Sequence, residues 1–238
     1  MSYRNTFKRF EIKYILTTEQ KDALMKQIEA YAEPDKYGKT TVCNIYLDTP
    51  NFRLIRRSLE KPLYKEKLRI RSYGTALAKG EVFVELKKKY KSVVYKRRLR
   101  LPQEEVVRAF SENVPLPQKS QIAEEIQYFR EYYAPLSPTV YLSYDREAYY
   151  SPQQEDLRIT FDKNIRYRLT DLSLNIPPSG RLILPEGMHL MEIKTAGAMP
   201  LWLVGTLSKN KIFKTSFSKY GNAYIDMKRS FQNEQRDF

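Results

Sequence analysis

Strands in which apolar and charged residues alternate recur along this chain, and they constrain its fold more than any other feature. In the segment EVFVELKKKYKSVVYKRRLRL, Val82, Val84 and Leu86 share one parity, whereas Glu85 and Lys87 share the other. Successive side chains of a β-strand point to opposite faces of the sheet. The segment therefore predicts a hairpin with one apolar face and one face that carries charges of both signs.

The same alternation occurs in FKRFEIKYIL, KEKLRIRSY, LSYDREAYY, LRITFD and LMEIKT. For any single strand, an antiparallel sheet with one face in water is the more common explanation. All these segments together favour a curled sheet, because the predicted helices are too few to cover the apolar face of a large flat one. A sheet that curls with its apolar side outward under the helices has a charged interior, and closure removes exposed edges. We therefore predict an α+β fold, an eight-stranded antiparallel β-barrel with helices packed outside.

Hydrophobic spacing and turn residues divide the chain into elements. The segment TTEQKDALMKQIEAYAE has helical spacing and begins with Thr17 and Gln20 placed as a capping box. Further helices are predicted over 103–113, 119–133 and near 199–209, with a mixed tail from Tyr220. Strands are predicted over 7–16, 42–48, 65–73, 81–89, 93–101, 139–148, 157–162, 165–169 and 188–194. Since no repeat or linker interrupts this pattern, we predict one domain over residues 1–238.

The charge balance is strongly basic. The chain has 42 Lys and Arg against 28 Asp and Glu, a formal net charge of +14. Such an excess predicts polyanionic partners, which include nucleic acid, an anionic membrane surface and phosphorylated metabolites. Colloidal solubility is the alternative that composition alone leaves open.

Rare residue types exclude several kinds of site. The single cysteine, Cys43, excludes an internal disulfide, and the single histidine, His189, leaves no material for a His–Cys zinc site or a Ser–His–Asp triad. The first residues lack the apolar core of a secretory signal, and no apolar run approaches the roughly 20 residues of a membrane helix. We therefore expect a cytoplasmic protein.

A charged interior requires counter-charge. Two like charges about 6 Å apart repel by roughly 0.7 kcal/mol in water, and by about 3 kcal/mol at an effective dielectric constant near 20. Interior carboxylates offset part of this repulsion, and a bound polyanion offsets more. Arginine and lysine suit phosphate oxygens, whereas glutamate and aspartate suit Mg²⁺ or Mn²⁺ that bridges phosphates. The pattern therefore predicts an interior that binds phosphates and a metal.

Eight segments, in their order, resemble the catalytic domain of the vacuolar transporter chaperone (VTC), in a bacterial-type stand-alone form. They are RFEIKYIL, IYLDTPNF, KLRIRSYG, VFVELKKK, YDREAYY, LRITFDKNIRYR, LMEIKT and SFSKYGNAY, and they extend from about residue 5 to residue 228. That domain belongs to the triphosphate tunnel metalloenzymes, which are relatives of the CYTH phosphatases. Each motif alone is weak, whereas the ordered set is specific.

The resemblance implies a tunnel of eight antiparallel strands, in which VTC domains convert nucleotide γ-phosphates into inorganic polyphosphate with Mn²⁺ or Mg²⁺. The residues that it implies for catalysis, through binding of phosphates, are Lys13, Arg69, Arg71, Lys87, Arg146 and Lys194. Further implied phosphate contacts are Arg98, Arg166, Arg168, Lys219, Tyr144 and Ser218, and the choice between Arg166 and Arg168 as the inward residue stays open. The implied metal ligand is Glu192, with Glu85 and Glu11 as helpers.

The chain departs from the wider family at its first strand. Arg9 stands where the superfamily has the first glutamate of an ExExK motif, which removes one carboxylate and weakens a scheme with two tightly bound metals. The phosphate-sensing and membrane-spanning parts of the eukaryotic polymerases have no counterpart in this sequence. The sequence therefore does not show coupling to transport, and it leaves a separate membrane partner open.

The reaction is predicted from the balance of bases and acids. A terminal phosphate of a growing chain is already an anion, so a polymerase needs no general base, whereas hydrolysis needs an oriented water. An interior rich in bases favours a polyphosphate polymerase that uses ATP or another nucleoside triphosphate and makes inorganic polyphosphate. The alternatives are a metal-dependent triphosphatase, which acts on inorganic or nucleoside triphosphate, and a non-catalytic polyphosphate-binding protein. We expect no nucleic acid partner.

Overall fold

The computed structural model describes residues 10–91 and 93–234. Arg9 and the start of the strand predicted over 7–16 lie outside the described residues. The strands are β1 (Phe10–Thr17), β2 (Glu33–Pro34), β3 (Thr40–Asp48), β4 (Tyr64–Tyr73), β5 (Glu81–Tyr90), β6 (Val93–Pro102), β7 (Ser137–Tyr150), β8 (Arg158–Arg168), β9 (Arg181–Leu182), β10 (Met188–Thr195) and β11 (Lys214–Thr215). The helices are α1 (Thr18–Ile28), α2 (Arg53–Leu59), α3 (Gln103–Ser111), α4 (Gln121–Tyr132), α5 (Leu201–Lys209) and α6 (Lys219–Glu234).

Contacts between residues divide the chain into two compact units. Unit 1 comprises the described residues of Met1–Thr41, Tyr144–Ile165 and Leu184–Ser218. Unit 2 comprises those of Val42–Ser143, Arg166–Ile183 and Lys219–Phe238. This division does not test whether the chain folds as one domain, so the single domain over 1–238 stays a prediction.

Unit 1 contains strands in the order β11-β1-β10-β8-β7, and β2 pairs with the end of β7. The pairs β1–β10 and β10–β8 are antiparallel. Their apolar side packs in one core with α1 and α5, in which Leu16, Leu24, Phe161 and Ile193 are buried. The predicted capping box starts α1: the Thr17 hydroxyl accepts from the Gln20 N–H, and the Gln20 side chain accepts from the Thr17 N–H.

Unit 2 contains strands in the order β7-β3-β4-β5-β6, and β9 pairs with the end of β8. Val82, Val84 and Leu86, the apolar parity of β5, are fully buried. They belong to the same core as Ile126 and Phe129 of α4. Burial of this side under a helix leaves the charged side of β4, β5 and β6 on the other face of the sheet.

The predicted fold class is confirmed. Eight strands of the described chain have eight or more residues, and helices pack on the apolar side. The pairs β1–β10, β10–β8, β3–β4, β4–β5 and β5–β6 are antiparallel. One detail of the predicted barrel differs, because the sheet is not closed among the described residues. Its strand order ends at β6 and at β11, and β11 is only two residues long.

Three predicted elements differ from the structure. Strand β8 is continuous where two strands were predicted, over 157–162 and 165–169, and Asn164 with φ of 51° marks the apparent break. Helix α6 occupies the predicted mixed tail. Helix α2 was not predicted; its first turn is held by the carboxylate of Asp48, which accepts from the N–H groups of Leu54 and Ile55 at 2.9 and 3.0 Å.

Candidate functional site

The charged side of β4, β5 and β6 in unit 2 forms a face rich in bases, which we call the basic face. Its residues are Lys67, Arg69, Arg71, Glu85, Lys87, Lys96 and Arg98. The strand register places these residues in rows, because directly paired residues of antiparallel strands share a face. One row contains Lys67, Lys87 and Lys96, and the next contains Arg69, Glu85 and Arg98.

Glu85 is the centre of the basic face. Its side chain is 1% exposed. Oε2 lies 2.8 Å from Nε and 2.7 Å from Nη2 of Arg69, with Nε of Arg71 at 3.8 Å. Oε1 lies 2.7 Å from both Nε of Arg98 and Nζ of Lys96. One buried carboxylate therefore binds four bases, which come from both neighbouring strands.

Protonation of this cluster follows from its charges. Burial alone would raise the pKa of Glu85, but the positive charges of Arg69, Arg71 and Lys96 outweigh it and hold that pKa far below its ordinary value. Desolvation lowers the pKa of Lys96 to about 8, Glu85 opposes this shift, and the nearby guanidinium charges add to it. Because the Lys96 side chain is 45% exposed, solvent screens part of the effect. The carboxylate stays ionised, whereas Lys96 loses its proton at a lower pH than an ordinary lysine does.

Each arginine of the cluster also has a second contact that fixes its orientation. Arg69 Nη1 donates to the Tyr46 hydroxyl at 3.1 Å, and Arg71 Nε donates to Asn44 Oδ1 at 2.9 Å. The Arg98 guanidinium lies over the Phe83 ring, 4.1 Å from its centroid. Positions fixed in this way lower the entropy cost of binding an anion.

The lysine row carries like charges on three adjacent strands. Like charges directly opposite each other on a sheet are destabilising. Lys67 is half-buried, whereas Lys87 and Lys96 are exposed. A bound polyanion would relieve the repulsion among all three ammonium groups.

The charged side of β1, β10, β8 and β7 in unit 1 forms a second face, which we call the mixed face. Its residues are Glu11, Lys13, Tyr144, Arg146, Thr160, Asp162, Glu192 and Lys194. Lys13, Glu192 and Thr160 lie directly opposite one another in the register of β1, β10 and β8. Glu11 and Lys194 form the adjacent pair.

Each base of the mixed face has a carboxylate of its own. Lys13 Nζ lies 3.3 Å from Glu11 Oε1 and also donates to the Phe217 carbonyl at 2.9 Å. Lys194 Nζ lies 3.0 Å from Glu192 Oε1. These two pairs join residues two positions apart on one strand.

Arg146 has the most enclosed ion pair of the mixed face. Its Nε and Nη2 atoms donate to the two oxygens of Asp162 at 2.6 and 2.7 Å, and its guanidinium lies over the ring of Tyr144 at 5.0 Å. Burial alone would lower the pKa of Arg146, but Tyr144, Asp162 and Glu192 together hold it above its ordinary value. Arg146 is therefore permanently charged.

The mixed face carries oxygen atoms of the kind that a divalent cation prefers. No group of three His, Cys, Asp or Glu side chains in the described residues could hold a metal without other ligands. Mg²⁺ is commonly bound through one or two carboxylates plus substrate phosphates. Glu192 and Glu11 provide carboxylates on neighbouring strands, and the buried Thr160 hydroxyl, opposite Glu192, has no hydrogen-bond partner. These oxygens fit Mg²⁺ or Mn²⁺, whereas the oxygens of Glu85 are taken by bases.

Arg168 lies in a structural network. Its guanidinium donates to the carbonyl groups of Asp171 and Ser173, both at 3.0 Å, and stacks on the Tyr141 ring at 3.4 Å. The positive φ at Asn164 interrupts the alternation of β8, so parity counted from Asp162 does not extend to this end of the strand. The role of Arg168 as a phosphate contact stays a prediction, which this geometry does not favour.

Three other predicted phosphate contacts lie near loops and helix ends. Arg166 Nη1 donates to the Gly180 carbonyl at 3.1 Å. Ser218 directly precedes α6, and Lys219 is its first residue. The N-terminus of a helix favours anions, so the predicted roles of Ser218 and Lys219 are consistent with their positions.

Sequence reasoning left several residues out of the predicted site. Lys96 has the parity of Arg98, and this signal could have identified it. Asn44 and Tyr46 carry no such signal, because their contacts with arginines depend on the pairing of β3 with β4. Tyr46 is also affected by its neighbours: burial would raise its pKa, but the charges of Arg69 and Lys67 lower it to about 8.

Comparisons with known proteins agree with the fold. The family model of the VTC domain matches residues 8–228. No curated protein matches the chain. Helices of the described residues include none that is long and apolar enough to cross a bilayer.

The solved structures that share this fold include the following three. A candidate adenylate cyclase from Vibrio parahaemolyticus is 12% identical, with a TM-score of 0.52, and the match covers 93% of this chain and 99% of that one. A candidate adenylate cyclase from Bacillus halodurans is 16% identical, with a TM-score of 0.53 and coverage of 90% and 95%. A candidate adenylyl cyclase from Hippeastrum with a dominant triphosphatase activity is 16% identical, with a TM-score of 0.54 and coverage of 88% and 92%.

Proposed function

The chain belongs to the VTC domain family, and we propose that it is a polyphosphate polymerase that transfers the γ-phosphate of ATP to a growing chain of inorganic polyphosphate. The observation that carries the proposal is the basic face. Lys67, Lys87 and Lys96 form a row of like charges beside the cluster of arginines at Glu85. An extended polyanion bound along this row would neutralise these charges, which supports the proposal.

The basic face supplies what phosphoryl transfer needs most, which is positioning and neutralisation of charge. Arg69, Arg71 and Arg98 would bind phosphate oxygens through planar forks of donors, and Lys87 and Lys96 would add compact charges. In the reaction, a terminal phosphate oxygen of the chain attacks the γ-phosphorus, the bond from that phosphorus to the β-phosphate oxygen breaks, and ADP leaves. The attacking oxygen is already ionised, so no general base is required.

The mixed face carries the groups proposed for the metal. Glu192 and Glu11 would hold Mg²⁺ or Mn²⁺, with the Thr160 hydroxyl as a further oxygen, and the bound cation would withdraw charge from phosphate oxygens. Lys13, Lys194 and Arg146 would neutralise further phosphate charge, the last of them fixed by Asp162. In the same proposal, Tyr144, Ser218 and Lys219 contact phosphates.

A metal-dependent triphosphatase is the second candidate. The Hippeastrum protein with this fold has a dominant triphosphatase activity. Glu11 and Glu192 on the mixed face are carboxylates of the kind that orients a water for hydrolysis. Their pairing with lysines lowers their availability as bases, which favours the polymerase.

The proposed partners follow from the same chemistry. ATP or another nucleoside triphosphate would be the donor, and inorganic polyphosphate or triphosphate would be the second ligand. We propose no nucleic acid partner. The cytoplasmic location stays a prediction.

Electrophoresis of the products tests the proposal. The protein is incubated with ATP and Mn²⁺, and polyphosphate is separated by length on a polyacrylamide gel. We expect chains that lengthen with time, and loss of these chains in Lys194→Ala. Release of orthophosphate from ATP and from tripolyphosphate, with no chains, would favour the triphosphatase. Tight binding of polyphosphate without any turnover would favour a non-catalytic binding protein.

A further inference from the structure

The carboxylate of Glu85 is saturated with hydrogen-bond donors. An ionised carboxylate has about four acceptor positions. Four nitrogen atoms lie within 2.8 Å of the Glu85 oxygens, two from Arg69 and one each from Arg98 and Lys96. A metal ion could reach these oxygens only by displacing a base.

The charges around Glu85 also oppose a cation. A divalent ion beside its oxygens would lie among Arg69, Arg71, Lys96 and Arg98, and at a buried position this repulsion is poorly screened. Glu192 lies on the mixed face, where its Oε1 atom is 3.0 Å from Nζ of Lys194. The resemblance implies that both glutamates hold the metal, and the structure separates their roles.

We propose that Glu85 is a fixed internal counter-ion, a positioning residue that holds Arg69, Arg71, Lys96 and Arg98 together until substrate phosphates neutralise them, and that it is not a metal ligand. The inference rests on the proposed function, in which these bases bind phosphates. The protein would otherwise have to bring four bases together with no anion between them. The strongly lowered pKa of Glu85 agrees with this role, because the carboxylate then stays ionised over the whole physiological range.

The role predicts a particular link between stability and ligand. In Glu85→Gln the four bases keep their positions on the strands but lose their counter-charge, so the free protein is destabilised. Tripolyphosphate supplies negative charge to the same bases and restores part of the stability. The variant should therefore gain more stability from tripolyphosphate than the wild type does.

The matched control is Glu125→Gln. Glu125 also pairs with bases of β5 and β6, since its oxygens lie 3.1 Å from Arg97 Nε and 3.8 Å from Lys88 Nζ. It lies on α4, on the apolar side of the sheet, and does not contact the basic face. Glu125→Gln therefore measures how much stability the protein loses with a paired carboxylate when the proposed phosphate site is unchanged.

The experiment measures thermal unfolding of the full chain with EDTA, with and without tripolyphosphate, and separately Mn²⁺ binding by electron paramagnetic resonance. For Glu85→Gln we expect a melting temperature about 5–10 °C lower without ligand, and a rise on adding tripolyphosphate that exceeds the wild-type rise by several degrees. Mn²⁺ affinity should change less than about twofold, whereas Glu192→Gln should lower it at least about tenfold. Glu125→Gln should lose less stability than Glu85→Gln, and it should follow the wild type in its response to tripolyphosphate and in its Mn²⁺ affinity.

Several results would overturn the inference. A loss of Mn²⁺ affinity in Glu85→Gln as large as that in Glu192→Gln would make Glu85 a metal ligand. If tripolyphosphate raises the melting temperature of Glu85→Gln and of the wild type equally, Glu85 is an ordinary buried residue. The proposed function is unaffected by that result. If tripolyphosphate does not raise the melting temperature of the wild type, the proposed function is wrong and so is the inference.

A second variant covers the case in which Glu85→Gln does not fold. In Glu85→Gln combined with Lys96→Gln, one base is removed together with the counter-ion. This double variant is expected to fold with wild-type Mn²⁺ affinity. If it folds and has lost Mn²⁺ binding, the inference is wrong. If Glu85→Gln itself is recovered only in the presence of tripolyphosphate, the inference is supported.

Discussion

The two charged faces differ in how they neutralise their bases. On the mixed face each base has a carboxylate of its own, as in the pairs Lys194–Glu192 and Arg146–Asp162. On the basic face one carboxylate, Glu85, serves four bases. The same alternation along the sequence therefore produces two kinds of surface, one suited to a metal with its phosphates and the other suited to phosphates alone.

Removal of one base from the basic face is the strongest test of whether the two faces have separate roles. We expect Arg69→Met to lower tripolyphosphate affinity by about 10–100-fold, because charge-assisted hydrogen bonds each contribute about 1.5–3 kcal/mol. Mn²⁺ affinity should not change. Isothermal titration calorimetry measures the first quantity, and electron paramagnetic resonance measures the second. Equal losses in both would show that the two faces do not have separate roles.

Replacement of Arg168 tests whether this residue lies outside the set that binds phosphates. Because its guanidinium binds the carbonyl groups of Asp171 and Ser173, Arg168→Met should lower the free energy of unfolding by about 2 kcal/mol. Thermal unfolding would show this as a fall of about 4–8 °C in melting temperature. Tripolyphosphate affinity is expected to stay at the wild-type value. A large loss of affinity in a folded variant would return Arg168 to the phosphate-binding set.

Replacement of Thr160 tests whether its hydroxyl contributes to Mn²⁺ binding on the mixed face. Its hydroxyl is buried without a hydrogen-bond partner, so Thr160→Val should stabilise the free protein by about 1 kcal/mol and raise the melting temperature by about 2–4 °C. The same change should lower Mn²⁺ affinity by about three- to tenfold, because one oxygen near Glu192 is lost. The control is Thr206→Val, which removes a hydroxyl that donates to the Trp202 carbonyl at 2.7 Å and should destabilise. Destabilisation by Thr160→Val, or unchanged Mn²⁺ affinity, would contradict this role.

The smallest expected effect is a dependence on pH that only the basic face has. Lys96 has a pKa lowered to about 8, so its ammonium is charged below pH 8 and becomes neutral above it. Tyr46, also with a pKa of about 8, gains a negative charge over the same range. Tripolyphosphate affinity should therefore fall by about three- to tenfold between pH 7.5 and 9.5, measured by calorimetry. Lys96→Gln should flatten this profile, and a wild-type affinity that rises with pH would be inconsistent with these assignments.

The sequence predicts the fold better than it predicts the contacts within the site. Alternation identified the apolar side of β5 and the charged side of β4, β5 and β6, because burial leaves a direct mark on residue type. Such features depend on neighbours in the chain.

The remaining features depend on register, which a single sequence does not show. Glu85 looks like a metal ligand in its motif, and only the pairing of β5 with β4 and β6 places four bases around it. Arg168 appears to continue the parity of Asp162, and only the positive φ at Asn164 reveals the interruption. The partners of charged residues were therefore less predictable than the faces on which they lie.

The central claim is tested most directly by ³¹P nuclear magnetic resonance of the purified protein with ATP and Mn²⁺, repeated with tripolyphosphate. The proposal predicts a growing resonance of internal chain phosphates with ATP as donor, and its loss in Glu192→Gln. Accumulation of orthophosphate without any chain signal would contradict the polymerase and assign the protein to the triphosphatases.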